Sequence, residues 1–112
     1  MNNEIVFVSN IVGNGGAGRV ISILADEFIN MGYGVTICSL IEGYEEYEMD
    51  NRIKRITLPK TKGSVKKQKL HRIINLHNEL KKHKNAIVIS FEHFVNMQTI
   101  IATAGIKCKL IV

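Results

Sequence analysis

EIVFVSNIVGNGGAGRVISILADEFINMGYGVTICSLI, residues Glu4 to Ile41, carries the first claim about architecture. Glu4 to Ser9 is a short apolar, β-branched run followed by Asn and Gly, the pattern of a strand buried on both faces. Asn10 to Gly18 is a glycine-rich loop. From about Ala17 the apolar residues Val20, Ile21, Leu24, Phe28 and Met31 recur at three- and four-residue steps. That spacing predicts one buried helical face, with Gly32 and Gly34 as the stop. Gly34 to Ile41 returns to a nearly continuous apolar run and makes a second strand. Strand, loop, helix and strand in this order form a βαβ unit, whose crossover is right-handed in nearly all folds.

Outward from this unit, Glu42 to Asp50 is acidic, bears two tyrosines and lacks periodicity, as a surface loop does. Arg52 to Leu58 alternates imperfectly and reads as a strand toward the sheet edge, ended by Pro59. Val65 to Lys84 reads as a helix with Leu70, Ile73, Ile74, His77 and Leu80 on its buried face. Ala86 to Ser90 is another buried strand, Val95 to Ala104 a short helix stopped at Gly105, and Lys107 to Val112 a last strand. The order β-α-β-β-α-β-α-β predicts an α/β fold with a doubly wound, mostly parallel sheet. Residues 1–112 make one domain, and the last strand reads as stopping in mid-element, so the domain is expected to continue past Val112.

The composition, 46% hydrophobic and 22% charged, is that of a globular chain. No apolar run approaches the ~20 residues of a membrane span, and the amino terminus lacks a secretory pattern. A cytoplasmic location is expected. Cys38 and Cys108 have neither metal-type spacing nor a disulfide framework, and both read as buried strand thiols. The net charge of +5 is uneven: residues 60–84 hold nine Lys or Arg against one acid, Glu79, a local +8 that leaves −3 for the rest. Such polarity suits an anionic surface, and peripheral contact with the inner face of a membrane through 60–84 is one reading; ordinary solvated charge is the other. The basic stretch has no interleaved aromatic residues to stack bases, which argues against nucleic acid.

Ligands of open parallel sheets bind beyond the carboxyl ends of the strands. Two loops there carry unusual residues. Gly13-Asn14-Gly15-Gly16-Ala17-Gly18 precedes a helix start, where backbone N–H groups and the dipole favour a phosphate. It also matches G-x-G-x-x-G, so an NAD- or NADP-binding domain is an alternative. Against it, Asn10, Ile11 and Val12 separate the strand from the first glycine, where that fingerprint has a tight turn. Ser90-Phe91-Glu92-His93-Phe94-Val95-Asn96 places a carboxylate, an imidazole and two rings at another strand end, a composition suited to sugar recognition. Asn96 is expected to cap the following helix. His71, His77 and His83 are six apart rather than four, which predicts no metal site. Ser39, Ser64 and Ser90 lack the G-x-S-x-G elbow.

Together these stretches carry a likeness. IVFVSNIVGNGGAGRVISILADEF (Ile5 to Phe28), GYGVTICSL (Gly32 to Leu40), RIKRITL (Arg52 to Leu58) and AIVISFEHFVN (Ala86 to Asn96) resemble the amino-terminal domain of family 4 retaining glycosyltransferases of the GT-B fold. The resemblance implies two Rossmann-like domains facing a cleft, with residues 1–112 the acceptor-side half and the donor domain outside them. It implies transfer of a sugar from a nucleotide diphosphate to a saccharide or lipid-linked acceptor, without a metal or other cofactor. Carried over residue by residue, Gly15, Gly16 and Arg19 would approach the donor diphosphate. Glu92, His93 and Asn96 are the acceptor or sugar candidates, His93 also the one catalytic candidate, the remaining catalytic groups being expected in the donor domain. Gly18 departs from the family, which often has glutamate before the arginine. The 112 residues alone are expected to be inactive, and an open sheet edge to favour self-association. A non-catalytic binding module of the same fold is the further alternative.

Overall fold

The structure, a computed structural model, describes residues 4–10, 15–40, 50–59 and 63–112. Its elements are β1 (Glu4–Ser9), α1 (Gly15–Asn30), β2 (Gly34–Ser39), β3 (Lys54–Thr57), α2 (Val65–Leu80) with a 3-10 turn at Lys81–His83, β4 (Ile87–Ser90), α3 (His93–Ala102) and β5 (Lys109–Ile111). The strands form one sheet in the order β3-β2-β1-β4-β5, and every pairing is parallel. This is the doubly wound Rossmann-like arrangement, with β1 central and β3 and β5 at the edges. The acidic segment 41–49 lies outside the described residues.

Alternate residues of the central strands feed two cores, which is why their sequences are apolar throughout. Ile5 and Phe7 of β1 and Val35 and Ile37 of β2 pack with Ile21, Ala25 and Ile29 of α1. Val6, Val8, Cys38 and Val88 pack on the other face with Leu76 and Leu80 of α2 and Val95 and Ala102 of α3. Burial of these side chains stabilises the fold by about 1.5–3 kcal/mol for each large one. A Schellman turn ends α1. Tyr33 N–H donates to the Phe28 carbonyl and Gly32 N–H to that of Ile29, both at 3.0 Å, with Gly32 at φ 94°. Ser64 caps α2, its hydroxyl accepting from Lys67 N–H at 3.4 Å.

Both long helices correct the expected faces. Val20 and Met31 of α1 are exposed, and the buried stripe is Ile21, Ala25 and Ile29. In α2, Leu70 and Ile74 are exposed while Leu76 and Leu80 are buried with Ile73 against them. Each helix carries two apolar stripes, and the sheet covers only one. Helix α1 also starts two residues earlier than expected, at Gly15, and α3 starts at His93 rather than Val95. Cys108 precedes β5 and is only partly buried, unlike Cys38. Burial in the core, reinforced by the negative charge of Glu79, pushes the Cys38 thiol up to about 12.

Two histidines of the α2 region, His77 and His83, serve structure. His77 Nδ1 donates to the Ala102 carbonyl at 2.7 Å and ties α2 to α3. His83 joins two carboxylates, Nδ1 lying 2.8 Å from Glu4 and Nε2 3.1 Å from Glu79. Thr36 of β2 donates to the same Glu4 carboxylate at 3.2 Å. These bonds fasten the amino ends of β1 and β2 to the end of α2.

Candidate functional site at the carboxyl ends of the strands

The chain leaves β1 toward β2 on one side of the sheet centre and later enters β4 on the other, so β1 and β4 flank the topological switch point. Three strands end there in serine. Ser9 and Ser39 are register partners, and Ser90 pairs with Val8. All three are buried, and the Ser9 hydroxyl has no hydrogen-bond partner among the described residues.

Helix α1 begins above these ends, and Gly15 and Gly16 form its first turn rather than a loop before it; Gly13 and Asn14 lie outside the described residues. Absent side chains let a ligand reach the backbone amides of a helix start directly. Gly18 is buried beneath that turn, and Arg19 points outward, exposed, one turn into the helix. Ser22 donates to the Arg19 carbonyl at 2.8 Å.

Across the switch point, Asn10 Nδ2 donates to Glu92 Oε2 at 3.1 Å, joining the residue after β1 to the turn after β4. Glu92 is exposed and holds φ 77°, a left-handed conformation rare outside glycine. Asn96 supports that turn. Its side-chain amide lies 2.6 Å from Ser90 Oγ; with nitrogen toward that hydroxyl it also donates to the carbonyls of Ser90 at 3.1 Å and Glu92 at 3.2 Å. Asn96 therefore does not cap α3. The cap position is Glu92, whose side chain makes no capping bond, and Asn96 sits inside the first turn. His93 is the first residue of α3, but its side chain and that of Phe94 lie outside the described residues. Phe91 packs on Phe7 with ring centroids 6.1 Å apart and belongs to the core on the α1 side, so it is no open platform for a sugar face.

The structure thus brings Gly15, Gly16, Arg19, Glu92 and Asn96 to the carboxyl end of the sheet. Sequence reading placed Asn10 and Ser90 in these loops without a role and missed Ser9. Their signal was a polar residue closing each buried strand, readable only once the two strands are known to be neighbours. Chemically, the site offers amide donors to an anion on one side and a fixed carboxylate to hydroxyl groups on the other.

No family model matches the chain, and no curated protein matches it. Among solved structures it is similar to WaaG, a glycosyltransferase involved in lipopolysaccharide biosynthesis, with a TM-score of 0.59 and 19% identity. The likeness covers 79% of this chain and 23% of that one, so residues 1–112 span about a quarter of the neighbour's length. At this identity the likeness speaks for fold alone, and the chain has a Rossmann-like α/β fold consistent with a fragment of a GT-B fold.

Proposed function

We propose that the chain is the acceptor-side portion of a glycosyltransferase that moves a sugar from a nucleotide diphosphate to a saccharide or lipid-linked acceptor. The observation that carries this reading is the glycine start of α1 set beside the Asn10–Glu92 bond at the switch point. The amides of Gly15 and Gly16, with Arg19, take the donor diphosphate as charge develops on it. Glu92 accepts from acceptor hydroxyls, and His93 stands at the start of α3 next to it. A second α/β domain, outside residues 1–112, supplies the opposite wall of the cleft and the rest of the donor site, and no metal is needed.

Titrating the isotope-labelled chain with UDP, GDP and NAD tests this by NMR. The expected result is a shift of the Gly18, Arg19 and Glu92 amides by a nucleoside diphosphate with Kd of roughly 1 mM, about −4 kcal/mol. Tighter binding of NAD would instead establish the dinucleotide alternative, and silence toward all three would leave the non-catalytic module.

A second reading concerns location. Among the described residues no helix is long and apolar enough to cross a membrane. Leu70 and Ile74, one turn apart, are exposed on α2 beside the exposed Lys66 and Lys67, and we propose that this stripe rests on the cytoplasmic face of an anionic membrane. Loss of vesicle co-sedimentation in Leu70→Ser with Ile74→Ser tests it; unchanged sedimentation refutes it.

A further inference from the structure

The opposite end of the sheet holds a cavity of about 510 Å³, lined by His77, Lys81 and Lys84 from the end of α2 and its following turn, and by Ala104 to Lys107 from the connection between α3 and β5. We propose that it binds a phosphate monoester or diphosphate group, at a place separate from the candidate site at the carboxyl ends of the strands and independent of the glycosyltransferase reading.

Three lysines, Lys81, Lys84 and Lys107, and His77 line this cavity from two distant segments, and among the described residues no carboxylate does. The usual account of lysines at a helix end is that they offset the helix dipole, an effect confined to the last turn. It covers Lys81. It does not cover Lys107, which follows α3 by five residues and enters from another segment. The one acid of residues 60–84, Glu79, turns elsewhere: its carboxylate is held by His83 and lies 3.6 Å from Lys82 Nζ.

The walls are fixed in place. Asn85 N–H donates to the Lys107 carbonyl at 2.7 Å, Lys109 N–H to that of Ala86 at 3.1 Å, and His77 Nδ1 to that of Ala102 at 2.7 Å. Because a carbonyl only accepts, that last bond places a proton on Nδ1; in the neutral ring Nε2 is then an acceptor, so His77 shapes the wall and the lysines carry the charge. The volume lies within the range of small-molecule sites. Lysine ammonium groups act as compact point charges approaching from several directions. They suit the spherical charge of a phosphate better than the planar carboxylate that an arginine fork matches. Among the described residues no Phe, Tyr or Trp lines the cavity, which argues against stacked bases as the ligand.

The test is an NMR titration of the full chain with sodium pyrophosphate at constant ionic strength, repeated on Lys81→Gln and Lys107→Gln. Both side chains are exposed, and spectral dispersion reports whether the variants fold. Saturating shifts at His77, Gly105, Ile106 and Lys107 are expected, with affinity reduced about tenfold in each variant. Shifts that never saturate, or that spread equally over Lys66, Lys67 and Lys69, would overturn the site and reduce it to diffuse charge. Vesicles containing phosphatidic acid, whose headgroup is a phosphate monoester, form a second arm. Competition between vesicles and pyrophosphate identifies a lipid headgroup as the source of the phosphate, and saturable pyrophosphate binding that vesicles do not disturb identifies a free phosphorylated ligand.

Discussion

Replacing Asn96 by alanine tests the turn on which the candidate site depends. The side-chain amide donates to Ser90 Oγ and to the carbonyls of Ser90 and Glu92. Each such bond contributes about 1 kcal/mol net, and the buried Ser90 hydroxyl left without its partner costs about 1–3 kcal/mol more. The left-handed backbone of Glu92, at φ 77°, costs about 1 kcal/mol or more and loses the bond that holds it. These effects overlap, so the expected destabilisation is about 2–3 kcal/mol. With a urea slope of about 1–1.5 kcal/mol per M, the unfolding midpoint should fall by about 2 M, followed by far-ultraviolet circular dichroism. Asn96→Asp, which cannot donate to the two carbonyls, should be as damaging as alanine. Ser90→Ala combined with Asn96→Ala should cost less than the two singly summed, by about 1 kcal/mol, because both remove one shared contact. A midpoint shift below about 0.5 M, or strict additivity, refutes the argument that Asn96 holds this corner.

The helix faces make a paired prediction: Leu76→Ala should destabilise by about 2–5 kcal/mol, whereas Ile74→Ala, two residues earlier and exposed, should change stability by about 0.5 kcal/mol or less, both read by urea unfolding. The Cys38 thiol makes another. The thiolate is the reactive form, so in the folded chain a thiol reagent near pH 8 should modify Cys108 and spare Cys38 until the chain is unfolded. Between the ordinary value of 9.0 and about 12 the folded chain keeps a proton that the unfolded chain loses, so stability should fall as pH rises through that window, by up to about 1.4 kcal/mol per pH unit. Cys38→Ala should remove that part of the alkaline slope; an unchanged slope assigns it to other groups.

The strands β1 and β2 were legible because burial on both faces leaves an uninterrupted apolar run such as IVFV or GVTIC, which few other structures explain. The glycine stop of α1 was legible for a similar reason, since a positive φ admits few residues besides glycine. The helix faces were not. The spacing put Leu70, Ile74 and Leu80 on one buried face, whereas Leu76 and Leu80 meet the sheet and Leu70 and Ile74 do not, because which stripe is covered depends on how the crossover lands. At the candidate site, composition alone singled out Glu92, because a carboxylate after a buried strand is conspicuous. The bond from Asn10 joins residues 82 apart in sequence, and no local pattern announces it. Asn96 was placed at a helix cap because Asn favours caps, and tertiary contact with Ser90 overrode that preference.

The central position of β1 also bears on the order of assembly. Ile5 meets Val35 across 30 intervening steps of chain, but it meets Ile87 only across 82. Closing the longer loop costs about 0.9 kcal/mol more in chain entropy, before any contact of β4 compensates it. Local pairings should therefore zip first, and the seam between β1 and β4, where the switch point lies, should form late. Pulse-labelled hydrogen exchange that protects β4 amides before those of β2 would reverse this sequence. A chain arrested partway would then carry an intact β1–α1–β2 unit without the Asn10–Glu92 corner, so any recognition at that corner would be the last property acquired on folding and the first surrendered on unfolding.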